Sequence, residues 1–344
     1  MSLPLTTSYL GLELPSPLVV GAAAPLSADP ARLHQWEQEG AGAVVLHSLF
    51  LEQIEHDWQQ WLHHQQHGAE SYPEALSYLP ATDPRHLGLD GYLEEIRAAS
   101  LNLSIPVIAS LNGNRSDSHN LAWIEQTAGA IEQAGAQAIE LNLYSVPSTL
   151  TRSSAEIEAQ HVELVRRVCN AVNLPVAVKL SPWYTGLASL AEQLQGAGAA
   201  SLVLFNRFLQ PDVDIETLQT LCRPELSTPI DQRLPLRWIG LLHGRVQLEL
   251  AASGGIGSGT DVVRMLMVGA QVCQVVSALL RHGPGQLRRM HQELQQWLEE
   301  HGIDSLDSLR GSLSQQRCPD PEAFERAHYL RSVGGAGPIN EPAP

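Results

Sequence analysis

The chain has 344 residues, of which 44% are hydrophobic and 17% charged, the balance of a globular protein large enough for one α/β barrel. The formal net charge of −16 argues against nucleic acid or an anionic membrane as the main partner. The four cysteines form no CxxC pair, so we expect no metal site and no disulfide framework. No secretory signal or membrane-spanning run is visible, and the expected location is the cytoplasm.

Short apolar runs alternate with helical stretches along the chain. Runs that are apolar on both faces suit parallel strands covered by helices. Eight runs are predicted as strands: 16–24, 41–48, 105–113, 136–144, 174–181, 200–207, 248–255 and 272–280. Helical spacing of apolar residues predicts helices over 119–134, 154–172, 185–197 and 260–269. This alternation predicts a (β/α)8 TIM barrel, with a doubly wound open sheet as the alternative.

Three segments exceed the minimal barrel. We expect a single barrel over residues 1–312 with an insertion at 49–100, and an extension at 313–344 whose end, 333–344, is a flexible Gly/Pro-rich tail. Another segment beyond the minimal barrel, 208–247, follows the sixth predicted strand. The spacing of its apolar residues does not locate the crossover helix expected there. The HHQQH stretch at 63–67 is interpreted as a solvated helix face and not as a metal site.

Polar residues cluster where the predicted strands end, which in a barrel is the edge that carries the active site. The set holds amides, hydroxyls, a histidine and one ammonium: His47, Ser110, Asn112, Asn142, Ser145, Lys179, Asn206, Ser253 and Ser277. Such groups suit a flat heteroaromatic ligand that offers carbonyl and ring-nitrogen atoms.

Lys179 is the only lysine among the 21 basic residues counted as Lys or Arg. Burying the charge of a lysine in a strand costs free energy unless an anionic group pairs with it. Its compact ammonium can sit under one carbonyl or ring nitrogen, which the planar guanidinium of arginine cannot do. A structural ion pair with Glu140 is the alternative interpretation.

The stretch ASGGIGSGTD, residues 252–261, is a glycine-rich loop that leads into a predicted helix. Glycines allow backbone N–H groups to approach a ligand, and a helix N-terminus favours an anion, so the loop indicates a phosphate site. Ser277 can supply the second half, because the loops after strands 7 and 8 of barrels often bind phosphate. A tight turn without ligand is the alternative.

Several of these motifs together resemble the dihydroorotate dehydrogenase family over roughly residues 4–312. They are GLELPSPLVVGAA near the start, IELNLYSVP, VAVKLSP, FNRF, ASGGIGSG and QVVSALL. The resemblance implies an FMN-dependent oxidoreductase that acts on CH–CH bonds. Its reaction would oxidise dihydroorotate to orotate in pyrimidine biosynthesis, with a hydride passing from C6 to flavin N5 and a proton from C5 to a base.

The resemblance also assigns roles by position. Ser145 matches the catalytic base, and Lys179 matches a lysine that stabilises negative charge on the reduced flavin. Residues predicted to bind FMN are Ala22, Ala23, Ser110, Asn112, Asn142, Lys179, Asn206, Gly254, Gly255, Ser277 and Ala278. Residues predicted to contact the substrate are His47, Asn142 and Asn206.

Departures from the family pattern keep alternatives open. The base motif reads YSVP, His47 replaces a lysine, and ATDPRH at 81–86 stands where the family carries an asparagine-bearing stretch. A divergent flavoenzyme with another substrate, a Schiff-base lyase or aldolase that uses Lys179, and a catalytically silent flavin-binding protein are the alternatives. We expect a homodimer, and fumarate or another soluble acceptor in preference to quinone.

Overall fold

The computed structural model describes residues 5–50, 88–113, 118–221 and 225–325. The strands are β1 (Thr7–Tyr9), β2 (Leu12–Leu14), β3 (Leu18–Val20), β4 (Ala43–Leu49), β5 (Val107–Asn112), β6 (Ala138–Leu143), β7 (Val176–Leu180), β8 (Ser201–Leu204), β9 (Asp212–Asp214), β10 (Gln219–Leu221), β11 (Glu249–Ser253) and β12 (Val272–Val275).

Eight of these strands form a closed parallel barrel in the order β11-β12-β3-β4-β5-β6-β7-β8. Pairing of β8 with β11 completes the ring. Closure confirms the predicted (β/α)8 barrel and excludes the doubly wound open sheet. Each predicted run contributes one barrel strand, although the run 272–280 changes from strand to helix after Val275.

The described helices are α1 (Ala24–Ser27), α2 (Pro30–Gln38), α3 (Leu89–Asn102), α4 (Ser118–Ala134), α5 (Ser154–Ala171), α6 (Leu187–Gly196), α7 (Arg233–Leu242), α8 (Gly259–Val268), α9 (Ser277–His282), α10 (Gly285–Glu300) and α11 (Leu306–Leu309). Short 3-10 helices span Pro229–Gln232 and Pro321–Phe324. Within the described ranges, no helix is long and apolar enough to cross a membrane.

Three crossover helices were not predicted. Helix α2 lies between β3 and β4. Helix α3 lies between β4 and β5, so the last part of the predicted 49–100 insertion belongs to the regular barrel. Helix α7 fills the crossover between β8 and β11. The rest of the insertion, including 63–67 and 81–86, and the tail 333–344 lie outside the described residues.

Residues 313–325 of the predicted extension pack back onto the barrel. The backbone N–H of Leu313 donates to the carbonyl of Met267 at 2.8 Å, and that of Gln315 donates to the carbonyl of Gly240 at 2.9 Å. This segment therefore continues the backbone hydrogen bonding of helices α7 and α8.

The core has an inner and an outer layer because strand side chains alternate between the two faces. On β7, Val176, Val178 and Leu180 belong to the large cluster between strands and helices, whereas Ala177 belongs to the inner cluster. Lys179 shares the inward face with Ala177. Inward positions nearer the C-terminal strand ends are polar, which sets the site above an apolar floor.

A hairpin of β1 and β2 closes the N-terminal end of the barrel. Its turn places Leu10 and Gly11 at φ 56° and 71°, the left-handed conformation that tight hairpins need. Tyr9 and Leu14 pack into the inner cluster, and the Ser201 hydroxyl donates to the Tyr9 oxygen at 3.0 Å. The hairpin leaves the C-terminal strand edge as the open side of the barrel.

Candidate active site

A trio of buried polar side chains occupies the barrel interior above the apolar floor. The Lys179 ammonium donates to Glu140 Oε1 at 3.2 Å and to Gln274 Oε1 at 2.9 Å. The Gln274 amide donates in turn to Glu140 Oε2. All three residues are at least 95% buried, with exposed fractions of 5%, 1% and 2% for Lys179, Glu140 and Gln274.

This trio crosses the barrel. Strands β6 and β12, which carry Glu140 and Gln274, stand opposite each other in the strand order. The ion pair of Lys179 with Glu140, the alternative weighed from the sequence, is therefore present. The ion pair does not remove Lys179 from contact with a ligand, because Lys179 and Gln274 also line a cavity.

A cavity of about 490 Å³ opens above this trio. We call it the Lys179 cavity. It brings together most of the predicted cofactor residues: Ala22, Lys179, Asn206, Gly254, Gly255 and Ser277. Asn142 adjoins it, because the Asn206 amide donates to Asn142 Oδ1 at 3.1 Å.

The glycine loop has two different steric requirements. Gly254 and Gly255 both have positive φ, at 104° and 73°. A Cβ on Gly255 would lie 2.5 Å from the Thr228 carbonyl oxygen, so this glycine allows the Pro229–Gln232 turn to approach. A Cβ on Gly254 would meet nothing within 4 Å, so that glycine borders open space on the cavity side.

Ser227 connects the glycine loop with Ser277, the first residue of helix α9. Its hydroxyl accepts from the Gly255 N–H at 3.1 Å and lies 2.9 Å from the Ser277 hydroxyl. Arg281 donates to the Ser227 carbonyl at 2.7 Å, which fixes the segment against helix α9. Hydroxyl and backbone donors from two loops thus border the same end of the cavity.

Ser145 lies outside this cavity, in a contact that the sequence did not indicate. Its hydroxyl is 3.5 Å from Nε2 of His161, and the Tyr184 hydroxyl is 3.1 Å from Nδ1 of the same ring. His161 is 7% exposed. Burial, reinforced by the positive charge of Arg152, lowers the pKa of His161 to about 4.

Sequence reasoning missed His161 because the residue is 16 positions from Ser145 along the chain. The signal available was a histidine on the apolar face of α5, beside the buried Val162, Leu164 and Val165. A cavity of about 290 Å³ reaches both Ser145 and His161. Its wall residues Trp183 and Phe208 also line the Lys179 cavity, so the two spaces adjoin.

His47, predicted to contact the substrate, faces another direction. A register shift between Val45 and Ser48 turns Ser48 toward β5, where its hydroxyl lies 2.7 Å from that of Ser110. His47 instead contacts Tyr92 on α3, with ring centroids 5.2 Å apart. Its Nδ1 lies 3.7 Å from Glu95 Oε2, and burial lowers the pKa of His47. The structure does not place His47 with the residues of the Lys179 cavity.

The remaining predicted residues take supporting positions. Ser110 and Asn112 are buried on β5, with exposed fractions of 0% and 4%. Ala23 and Ala278 pack with the outer core and are not among the residues that line the Lys179 cavity. These four residues therefore surround the site, and the structure does not bring them to the cavity wall.

Comparison with known proteins matches these features to a family. The sequence model described as dihydroorotate dehydrogenase matches residues 68–298, well over half of the chain. The chain belongs to the dihydroorotate dehydrogenase family. This membership confirms the family recognised from the motifs, and with it the oxidoreductase class acting on CH–CH bonds and the FMN cofactor.

Three relatives, each named dihydroorotate dehydrogenase B (NAD(+)), catalytic subunit, illustrate the similarity. The protein of Geobacter sp. is 30% identical over 242 residues, which cover 68% of this chain and 77% of the relative. That of Methanothermobacter thermautotrophicus is 26% identical over 316 residues, covering 89% and 97%. That of Desulforamulus reducens is 28% identical over 232 residues, covering 65% and 74%.

The residues of this dihydroorotate dehydrogenase family member fit FMN. The Lys179 ammonium has a third N–H beyond its bonds to Glu140 and Gln274, and the Asn206 and Gln274 amides each have a second N–H beyond their bonds to Asn142 and Glu140. These N–H groups are suited to the carbonyl and nitrogen edge of a flavin. The open side of Gly254 leaves room for a group close to the backbone. A volume of about 490 Å³ is also within the usual range of cofactor pockets.

Proposed function

We propose that this barrel oxidises dihydroorotate to orotate with FMN held in the Lys179 cavity. The observation that carries the proposal is convergence: Lys179, Asn206 and the Gly254–Gly255 loop come from strands β7, β8 and β11 and line one space. Family membership supports the same reaction. FMN, when bound, supplies the acceptor for the hydride that leaves C6 of the substrate.

Lys179 contributes a fixed positive charge beside the cofactor. Its ammonium is held from below by Glu140 and Gln274, so it is positioned before any ligand arrives. A preorganised charge stabilises negative charge that develops in a reaction, at no cost of reorganisation. An ammonium held by a carboxylate is also a poor nucleophile, which weakens the Schiff-base alternative.

Asn142 and Asn206 form a paired amide surface for the substrate. The hydrogen bond from Asn206 to Asn142 Oδ1 fixes both amide orientations, and among the described residues it leaves the Asn142 NH2 group and the Asn206 carbonyl oxygen available. A ring with alternating carbonyl and N–H groups can pair with such donors and acceptors. Dihydroorotate has this character.

Ser145 is proposed as the base that removes the C5 proton. A hydroxyl is a weak base at neutral pH and works only when its own proton can move to another group. Ser145 follows β6 and lines the adjoining cavity, which shares its wall residues Trp183 and Phe208 with the Lys179 cavity, and this adjacency supports the assignment.

Anaerobic titration of the purified protein with dihydroorotate tests the proposal. We expect a visible flavin spectrum that bleaches with substrate, and a Ser145→Ala variant that keeps its flavin but bleaches about 10²–10⁴ times more slowly. The matched control is Ser148→Ala, an exposed serine of the same loop, which should bleach at the wild-type rate. A colourless protein, or a flavin that dihydroorotate leaves oxidised, would refute the proposal.

The relatives' names support two finer parts of the proposal. They describe NAD(+)-dependent catalytic subunits. These names favour a soluble electron acceptor over quinone, and they also favour association with a partner subunit. The homodimer, the cytoplasmic location and the domain division at residue 312 stay predictions.

A further inference from the structure

We propose that His161 accepts the proton of Ser145, so that Ser145, His161 and Tyr184 form a proton relay. The inference rests on the proposed function and supplies what that function lacks, an acceptor for the serine proton. The rings of His161 and Tyr184 meet edge to face with centroids 5.9 Å apart. This contact holds the imidazole between the hydroxyls of Ser145 and Tyr184.

The side chains of Ser145, His161 and Tyr184 are already arranged in the order that proton transfer from the serine to the imidazole requires. Ser145 Oγ faces His161 Nε2 at 3.5 Å, and Tyr184 Oη faces Nδ1 at 3.1 Å. Hydrogen bonds of a catalytic pair are often long without substrate and shorten when substrate binds. His161 lies on α5, whose first turn is fixed by the Ser153–Glu156 capping box, so the ring projects from a rigid element.

Tyr184 determines which imidazole nitrogen is free. When the Tyr184 oxygen accepts from Nδ1–H, the lone pair of Nε2 points at the Ser145 hydroxyl, the arrangement that a general base needs. Burial raises the pKa of Tyr184, reinforced by the negative charge of Glu158, so the phenol stays neutral. Tyr184 is thus a positioning residue.

The surroundings keep His161 in its neutral form. Among the described residues, the charged and titratable groups around it are Arg152 from the preceding loop, Glu158 on α5 and Tyr184. The nearby arginine charge and burial both oppose an imidazolium, so the ring remains an acceptor through the neutral range. Because the imidazolium is destabilised at this position, the transfer from Ser145 is uphill and is completed only when the ring releases the proton.

The proposed step balances as follows. The C5–H bond of dihydroorotate breaks, its proton moves to Ser145 Oγ, and the Ser145 proton moves to His161 Nε2. The electron pair of the C5–H bond forms the C5–C6 double bond as the hydride leaves C6 for the flavin. His161 then releases the extra proton toward solvent, which restores the neutral ring and the serine hydroxyl.

Stopped-flow bleaching of the FMN-loaded enzyme separates a relay from a structural role. We expect His161→Gln to slow bleaching by about 10²-fold, with a residual rate that rises with pH as hydroxide replaces the histidine. The double variant Ser145→Ala with His161→Gln should be no slower than Ser145→Ala alone, because residues that act as one unit are not additive. Multiplicative losses, or a His161→Gln rate within twofold of wild type, would overturn the relay.

A second readout does not depend on turnover. NMR of protein labelled with ¹⁵N-histidine, with the His161 signals identified by their loss in His161→Gln, reports the tautomer and the pKa directly. We expect the Nδ1–H tautomer and titration well below pH 6.5, the ordinary histidine pKa. Tyr184→Phe, which keeps the ring, should shift the tautomer toward Nε2–H and slow bleaching. An Nε2–H tautomer in the wild type would overturn the relay even if dihydroorotate bleaches the flavin.

The exposed His301 provides the matched control, because His301→Gln should alter neither readout. If wild-type flavin is not reduced by dihydroorotate, the proposed function fails, while the NMR result still decides the hydrogen-bond order of the three residues. The two failures are therefore distinguishable.

Discussion

Glu140→Gln is the sharpest perturbation of the polar trio inside the barrel. The substitution keeps the shape of the side chain but removes its charge, which leaves the Lys179 ammonium buried without a carboxylate. Lys179 is 5% exposed and Glu140 is 1% exposed, so water does not replace the lost partner. Breaking a buried ion pair by removing one partner costs about 3–5 kcal/mol of unfolding free energy.

The size of the chain converts this loss into a temperature. An unfolding entropy of about 2.1 cal/mol/K per residue gives about 0.7 kcal/mol/K for a protein of this length. We therefore expect the Tm of Glu140→Gln to fall by about 4–7 °C in differential scanning calorimetry. The control Glu163→Gln removes an exposed pair with Arg166 and should shift Tm by about 1 °C or less.

A second substitution tests the cause of the loss. Adding Lys179→Met to Glu140→Gln removes the stranded charge and leaves two amides, at positions 140 and 274, that can pair. We expect the double variant to recover most of the lost Tm. A Glu140→Gln variant with the wild-type Tm, or a double variant that melts lower still, would show that the buried ammonium is not stabilised by this carboxylate.

Three further predictions follow from the site and its surroundings. Gly255→Ala should unfold at a lower denaturant concentration, because its Cβ would lie 2.5 Å from the Thr228 oxygen, whereas Gly254→Ala, whose Cβ would enter the space offered to FMN, should lose flavin on gel filtration with a smaller loss of stability. The opposite order would contradict the roles given to these two glycines. Burial raises the pKa of Glu95 to about 7, so unfolding free energy should fall as pH rises from 4.5 through 7, and a Glu95→Gln variant that keeps this slope in urea titrations would contradict it. His47→Gln should leave the KM for dihydroorotate within about threefold, about 0.7 kcal/mol, and a larger change would place His47 in the substrate site.

The barrel was predictable because local pattern and topology agree. Runs such as 174–181 are apolar on both faces, a pattern typical of strands buried on both sides, and helical stretches separate them along the chain. The glycine loop and Lys179 were predictable for a related reason, because parallel strands in a barrel end at the same edge. Residues predicted at that edge, including Asn206 and Ser277, do line one cavity.

The rest depends on contacts that no local pattern encodes. His47 and Ser48 exchange orientations through one register shift on β4, which a strict alternation cannot foresee. Gln274 meets Glu140 across the barrel, 134 residues away along the chain. Helix α7 was hidden by the proline in its first turn, Pro235, which reads as a break although helices accept proline there.

The hairpin of β1 and β2 has a kinetic consequence. Tyr9 packs into the inner cluster at one end of the barrel, so within the described residues the Lys179 cavity is approached from the opposite end, beside Trp183 and Phe208. A substrate, its product and a diffusing electron acceptor that all reach the cofactor from this end would bind one after another. A shared entrance of this kind favours turnover in two alternating half-reactions, in which each ligand leaves before the next one binds.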